Sequence, residues 1–130
     1  MSIQSFRDLI VWQKSIRLVE SVYELTRSFP REELYGLTSQ LRKSVISVPS
    51  NIAEGHGRSS RKDYASFVAI AKGSLLEVET QLIIAAKLGF TTEGKIQSCL
   101  DLSHEIERML ATLRARLVGV KSDNLARHSP

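Results

Sequence analysis

The chain has 130 residues, 42% hydrophobic and 25% charged, the make-up of one globular domain with a core of its own. A single cysteine, Cys99, leaves no intramolecular disulfide and no cysteine cluster for a metal, and no apolar run reaches the roughly 20 residues that span a bilayer. The formal charge of +4 permits a polyanionic partner without requiring one.

The amino terminus, MSIQSFRDL, lacks the basic-then-apolar layout of a signal peptide. With the free thiol, this sets the expectation of a reducing, cytoplasmic setting and no membrane association. Three prolines and seven glycines are few turn signals for this length, which favours a small number of long helices.

The first helix is predicted from about Phe6 to Ser28, with Ser5 as N-cap and Asp8 completing a weak capping box. Leu9, Trp12, Ile16, Val19 and Tyr23 make one apolar stripe, read as the core seam, and Val11, Leu18, Val22 and Leu25 make a second beside it. Two stripes imply a deeply buried helix or one shared with another subunit. Phe29-Pro30 ends the helix, because the residue before proline is driven out of the α region.

Helix 2 is predicted from about Gly36 to Glu54, with Leu37, Leu41, Val45, Val48 and Ile52 as its apolar stripe. Beside that stripe runs a polar row of Gln40, Ser44, Ser47, Asn51 and Glu54. The row is either a half-exposed flank or a buried layer whose members bond one another. Pro49 cannot donate to the carbonyl of Val45, so a kink is expected there at a cost of about 3 kcal/mol, with Ser47 or Ser50 covering the freed carbonyl. Glu54 opposes the helix dipole in the last turn and calls for a cation, with Arg58 nearest.

Helix 3 is predicted from Ser60, its cap, to about Leu88, where Gly89 is a natural left-handed stop. Tyr64, Phe67, Ala71, Leu75, Val78, Leu82 and Ala85 make its stripe, and Ser74, Glu77 and Gln81 a shorter polar row. An antiparallel pair pivoting near Gly57 places Gln40 level with Ser74 and lets the two rows meet, with Gly73 allowing close backbone approach. Helix 4 is predicted from Glu93, capped by Thr91 or Thr92, to Val120, with Ile96, Cys99, Ser103, Ile106, Leu110, Leu113, Leu117 and Val120 in near-heptad spacing. Residues 1–120 thus form one all-α domain, an antiparallel up-down-up-down four-helix bundle, because short connections leave neighbours antiparallel. Residues 121–130 read as a flexible tail.

This topology sorts the charges. One end gathers Arg7, Arg58, Arg61, Lys62, Arg114, Arg116, Lys121 and Arg127 against Asp8, Glu54, Asp63 and Asp123. The other holds Arg27, Arg31, Lys87 and Lys95 against Glu24, Glu32, Glu33, Glu93 and Asp101. A positive end of this kind suits phosphate, and Arg7, Arg58, Arg61, Lys62, Arg114, Arg116 and Lys121 are the candidate nucleic-acid contacts. No aromatic interleaves with them in sequence, so the expected contacts are to backbone rather than to bases.

No enzymatic chemistry is expected. Asp101-x-x-His104 falls short of a di-iron set, so His104 reads as a surface residue and no metal or cofactor is expected. His56 reads as an exposed loop histidine that could reach phosphate, and Cys99 as a buried structural thiol. There is no nucleophile elbow and no phosphate-binding glycine loop.

FRDLIVWQKS at residues 6–15, QLRKSVISVPSNIAEGHGR at 40–58 and FVAIAKGSLLEVETQLIIAAKLGF at 67–90 resemble the bacterial four-helix-bundle proteins encoded in intervening sequences of 23S ribosomal RNA genes. The resemblance runs from Phe6 to Phe90 and is most specific at Asn51–Gly55 and Gly73–Leu75. It implies a homopentamer with a central channel, a role in RNA or other nucleic-acid binding, and no catalytic residue. The accessory proteins of diversity-generating retroelements, which bind nucleic acid and a reverse transcriptase, are similar bundles. Within the motif, Ser47, Pro49, Asn51, Glu54, Gly55, Gly73, Ser74 and Glu77 are the candidate structural positions. The alternative to nucleic-acid binding is a protein-interaction scaffold, such as a reverse-transcriptase accessory subunit, docking on the outer stripe of helix 1.

Overall fold

The computed structural model describes residues 5–119. Its helices are α1 (Ile10–Thr26), α2 (Leu37–His56), α3 (Arg61–Lys87) and α4 (Glu93–Leu117), with short 3-10 turns at Phe6–Asp8 and Arg31–Glu33. The expected tail, together with Val120, Lys121, Asp123 and Arg127, lies outside the described residues.

Contacts between helices give their directions. On α1 and α4, Lys14 meets Glu105 at 2.7 Å, while Leu9 and Ile10 share a groove with Met109 and Leu113, so low numbers on one helix meet high numbers on the other. On α2 and α3, Ser47 meets Ser74 and Gly55 meets Tyr64 and Phe67. On α3 and α4, Arg61 reaches Arg116 and Glu79 reaches Ser103. Arg42 ties α2 to the end of α1, donating to Thr26 Oγ1 at 2.9 Å with its guanidinium over Tyr23. These pairings define the antiparallel bundle that short loops demand.

The core is the meeting of the four stripes. Leu18 and Val22 of α1, Leu41, Val45, Val48 and Ile52 of α2, Leu75, Val78 and Leu82 of α3, and Ile106 and Leu110 of α4 are fully buried. Removing such side chains from water is the main favourable contribution to folding, about 1.5–3 kcal/mol each. Ser60 and Thr92 cap α3 and α4 as expected, each accepting a backbone N–H from three residues on, and Gly89 leaves α3 with φ +80.

Three local expectations change. The Ser5–Asp8 capping box forms, but it closes the 3-10 turn rather than starting α1. Leu9 is extended, Gln13 Nε2 donates to the Arg7 carbonyl across the break, and Phe6 packs edge-on to Trp12. The stripes of α1 also exchange roles: Val11, Leu18 and Val22 are buried, while Leu9, Trp12, Val19 and Tyr23 pack half-buried against the same core. Most of the apolar excess of α1 is therefore consumed within the chain, and the outer docking stripe is largely gone. Finally, α2 stays helical through the buried Pro49, and the Ser47 hydroxyl expected at the Val45 carbonyl is engaged with Ser74 of α3 instead.

Candidate functional site

The polar rows of α2 and α3 do meet, but in a different register. Ser47 and Ser74 are joined hydroxyl to hydroxyl at 2.8 Å, and Asn51 Nδ2 donates to both the Ser47 carbonyl (2.8 Å) and the Ser47 hydroxyl (2.9 Å). Ser74 is therefore level with Ser47, two helical turns beyond the expected Gln40. Gln40 lies exposed on a surface groove with Glu77 and Gln81, whose Oε1 is buried without a partner among the described residues. The physical reason is the connection: α2 continues to His56 and α3 begins only at Arg61, so the pivot lies beyond Gly57.

Close approach comes from Gly55, not Gly73. A Cβ on Gly55 would stand 2.8 Å from Phe67 Cβ and 2.9 Å from Tyr64 Cδ1, whereas nothing lies within 4 Å of one on the exposed Gly73. His56 is likewise displaced from the expected loop into the last turn of α2. There it is half-buried and edge-on to Tyr64 at 5.9 Å.

The basic end forms where α2, α3 and α4 converge, but its cations are not equivalent. Arg58 pairs with Glu54 at 3.0 Å, as expected, and its guanidinium lies 4.7 Å over the Phe67 ring. An aromatic does accompany this cation; it arrives from the next helix, where adjacency in sequence does not reveal it. Arg61 donates to the Arg116 carbonyl at 2.7 Å, where the Gly119 N–H also bonds at 3.3 Å, and so ties α3 to the end of α4. Lys62 and Arg114 face one groove of about 640 Å³ between those helices, with Ala65, Ile70 and Leu117 as its apolar floor. Arg116 lies on the neighbouring α1–α4 groove beside Arg108, a residue the sequence reading passed over. Lys62, Arg114 and Arg116 are exposed and have no carboxylate at ion-pair distance among the described residues. Arg7 is exposed in the turn preceding α1, and Lys121 lies outside the described residues.

A second constellation was missed in the sequence. On the α3–α4 seam, Glu79, His104 and Glu107 bring one ligand-type atom each within 4.8 Å of the others. His104 Nε2 is 3.3 Å from Glu79 Oε1, and the fully buried Ser103 donates to Glu79 Oε2 at 2.6 Å. The Glu107 carboxyl is pushed up to about 7, first by burial and then by its hydrogen bond to Glu79 and that group's charge, with His104 and Lys72 pulling the other way. Asp101, whose i, i+3 spacing to His104 falls short of a metal set, instead accepts from Gln97 Nε2 at 2.9 Å. The local signal was His104-x-x-Glu107, one face of α4 at i, i+3; the third member needed the register of α3.

Four long antiparallel helices, one neutral hydroxyl seam and a basic end define the class, a polar-seamed four-helix bundle with no membrane-length apolar helix among the described residues. The family model for the 23S rRNA-intervening sequence protein matches residues 7–112, and the chain belongs to that family. The match takes in most of α4, beyond the limit at Phe90 that the motifs suggested. Among solved structures, a protein of unknown function from the S23 ribosomal protein family of Bacteroides thetaiotaomicron is similar with a TM-score of 0.73. It is 22% identical, and the alignment covers 81% of this chain and 98% of that one, a likeness of fold. No curated protein matches the chain.

Proposed function

We propose that the protein is a non-enzymatic bundle that binds nucleic acid, RNA foremost, along the phosphate backbone through its basic end. The observation that carries this reading is the trio Lys62, Arg114 and Arg116, exposed and without carboxylate partners among the described residues, on a surface that Arg61 knits together. Unpaired cations are the ones that release counterions from phosphate on binding, whereas Arg58 is already held by Glu54 and Phe67. The trio, with Arg7, is therefore the contact set, and Arg58 and Arg61 shape the surface.

The test is binding of single-stranded RNA to the protein across a salt series. Affinity falls steeply with salt, and replacing Lys62, Arg114 and Arg116 together by alanine flattens the slope by about 2. Arg58→Ala alone has a much smaller effect. Absent or salt-insensitive binding by the unaltered protein rules the reading out.

A second observation favours self-association, the assembly that the family resemblance implies. The outward side of α3 exposes Ile70, Leu76, Ile83, Ile84 and Leu88, each at least 40% accessible, around the open Gly73. A second copy of the chain covering this face would bury that apolar area. Light scattering then gives an oligomeric mass that Leu76→Lys with Ile84→Lys reduces to that of a single chain. A wild-type protein of single-chain mass removes this reading and leaves the first standing.

A further inference from the structure

We propose that Glu79, His104 and Glu107 form a binding site for one divalent transition-metal ion of the zinc type, on the α3–α4 seam away from the basic end. Two independent helices supply the donors: Glu79 comes from α3, and His104 and Glu107 from successive turns of α4. Ligands about 2.0–2.2 Å from a tetrahedral zinc are about 3.3 Å from one another. His104 Nε2 and Glu79 Oε1 already stand at 3.3 Å. The remaining donor lies inside the 4.8 Å envelope, within reach of a side-chain adjustment.

The surroundings also fit. Ser103 is wholly buried and spends its hydroxyl on the far oxygen of Glu79, the outer bond that fixes a ligating carboxylate and leaves its other oxygen for the ion. Two carboxyl groups face each other here with no lysine or arginine at ion-pair distance among the described residues. Such a pair is held together by a shared proton or by a cation, and a dication with an imidazole ligand satisfies all three side chains at once. Half of the His104 side chain is exposed, which leaves an open side for a water as the fourth ligand. One imidazole and two carboxylates are too few oxygens for calcium and a poor match for magnesium, and they suit zinc or cobalt.

The test uses the full chain without an affinity tag, with zinc followed by calorimetry and cobalt by its visible d–d absorption. The expected result is one ion per chain, no comparable binding of calcium or magnesium, and a cobalt spectrum of low coordination number. Glu107→Gln and His104→Gln, both at partly exposed positions that tolerate the change, each lose most of that affinity. Ser103→Ala, which touches no ion, weakens it by roughly 10-fold. Circular dichroism of each ion-free variant confirms that the bundle is intact. The proposal fails if the unaltered protein takes up no stoichiometric zinc, or if the glutamine variants bind it as tightly as the parent.

Discussion

Toward α2, helix α3 presents Ser74, a neutral hydroxyl that meets Ser47 at 2.8 Å under the cover of Asn51. Toward α4 it presents Glu79, a carboxylate that meets a second carboxylate, Glu107, and His104. Both seams bury polar atoms beside the same apolar core, yet they close in different ways. The neutral seam is complete at its centre because each hydroxyl offers both a donor and an acceptor, so two serines and an amide satisfy one another. The charged seam has an excess of acceptors, and it closes only by holding a proton or a cation. A hydroxyl layer specifies how two helices sit, whereas a carboxylate layer also answers to the solution around it.

The largest way to break the comparison is to pry open the neutral seam at its close approach. Gly55→Ala drives a Cβ to within 3 Å of Phe67 Cβ and Tyr64 Cδ1, and packed side chains on a helix can yield only if the helices part. Overpacking of this kind costs about 2 kcal/mol, more than the gain in helix propensity. Gly73→Ala is the control on the same helix pair. With open space around it, it stabilises the chain by about 1 kcal/mol. Urea unfolding of the two variants should give opposite signs; equal effects would mean that α2 and α3 are not in contact at Gly55.

The hydroxyl pair itself is worth less. Ser47→Ala or Ser74→Ala each leaves one hydroxyl facing a methyl, at a cost of about 1 kcal/mol. The double variant removes both groups and should cost less than the sum of the single changes, by about 0.5 kcal/mol. Asn51 keeps its bond to the Ser47 carbonyl throughout, which is why the loss stays small. Strict additivity in a double-mutant cycle would show that the two hydroxyls do not interact in solution.

The same contrast explains what was legible in the sequence. Apolar residues at three- and four-residue steps gave the helices and their inner faces on α2, α3 and α4, because burial imposes that period directly. On α1 two stripes were visible, but which one faces the core depends on how the helix is rolled, and period alone does not encode roll. The neutral seam was foreseen in composition and missed in register, since its alignment depends on a connection running from Gly57 to Ser60 rather than on either helix. The sorting of charge to one end followed from topology. The Arg58–Glu54 pair was legible at i, i+4, but Phe67 beneath Arg58 and the Arg116 carbonyl beneath Arg61 were not, because they are tertiary neighbours. His104 and Glu107 are neighbours on one face of α4, but Glu79 lies 25 residues earlier on α3, and only the α3–α4 register brings it to them.

The finest probe of the comparison is pH. Below its ordinary range, near 4.5, Glu107 is protonated in both the folded and unfolded chain and contributes no pH dependence. Between there and about 7 the unfolded chain loses that proton while the folded chain keeps it, so stability declines as pH rises through this window. Glu79 and Lys72 from α3 and His104 from α4 face the group, and Glu79 is the one that resists its ionisation. Glu107→Gln cannot ionise and escapes the decline. In the presence of a chelator, the variant should match the parent near pH 5 and exceed it near pH 8 by about 1 kcal/mol or less, the ceiling being low because the seam is partly open to water. Ser74→Ala, on the neutral side, should show the same difference from the parent at both pH values. A flat difference for Glu107→Gln as well would mean that the carboxyl pair separates in solution, and that the two sides of α3 are more alike than their geometry indicates.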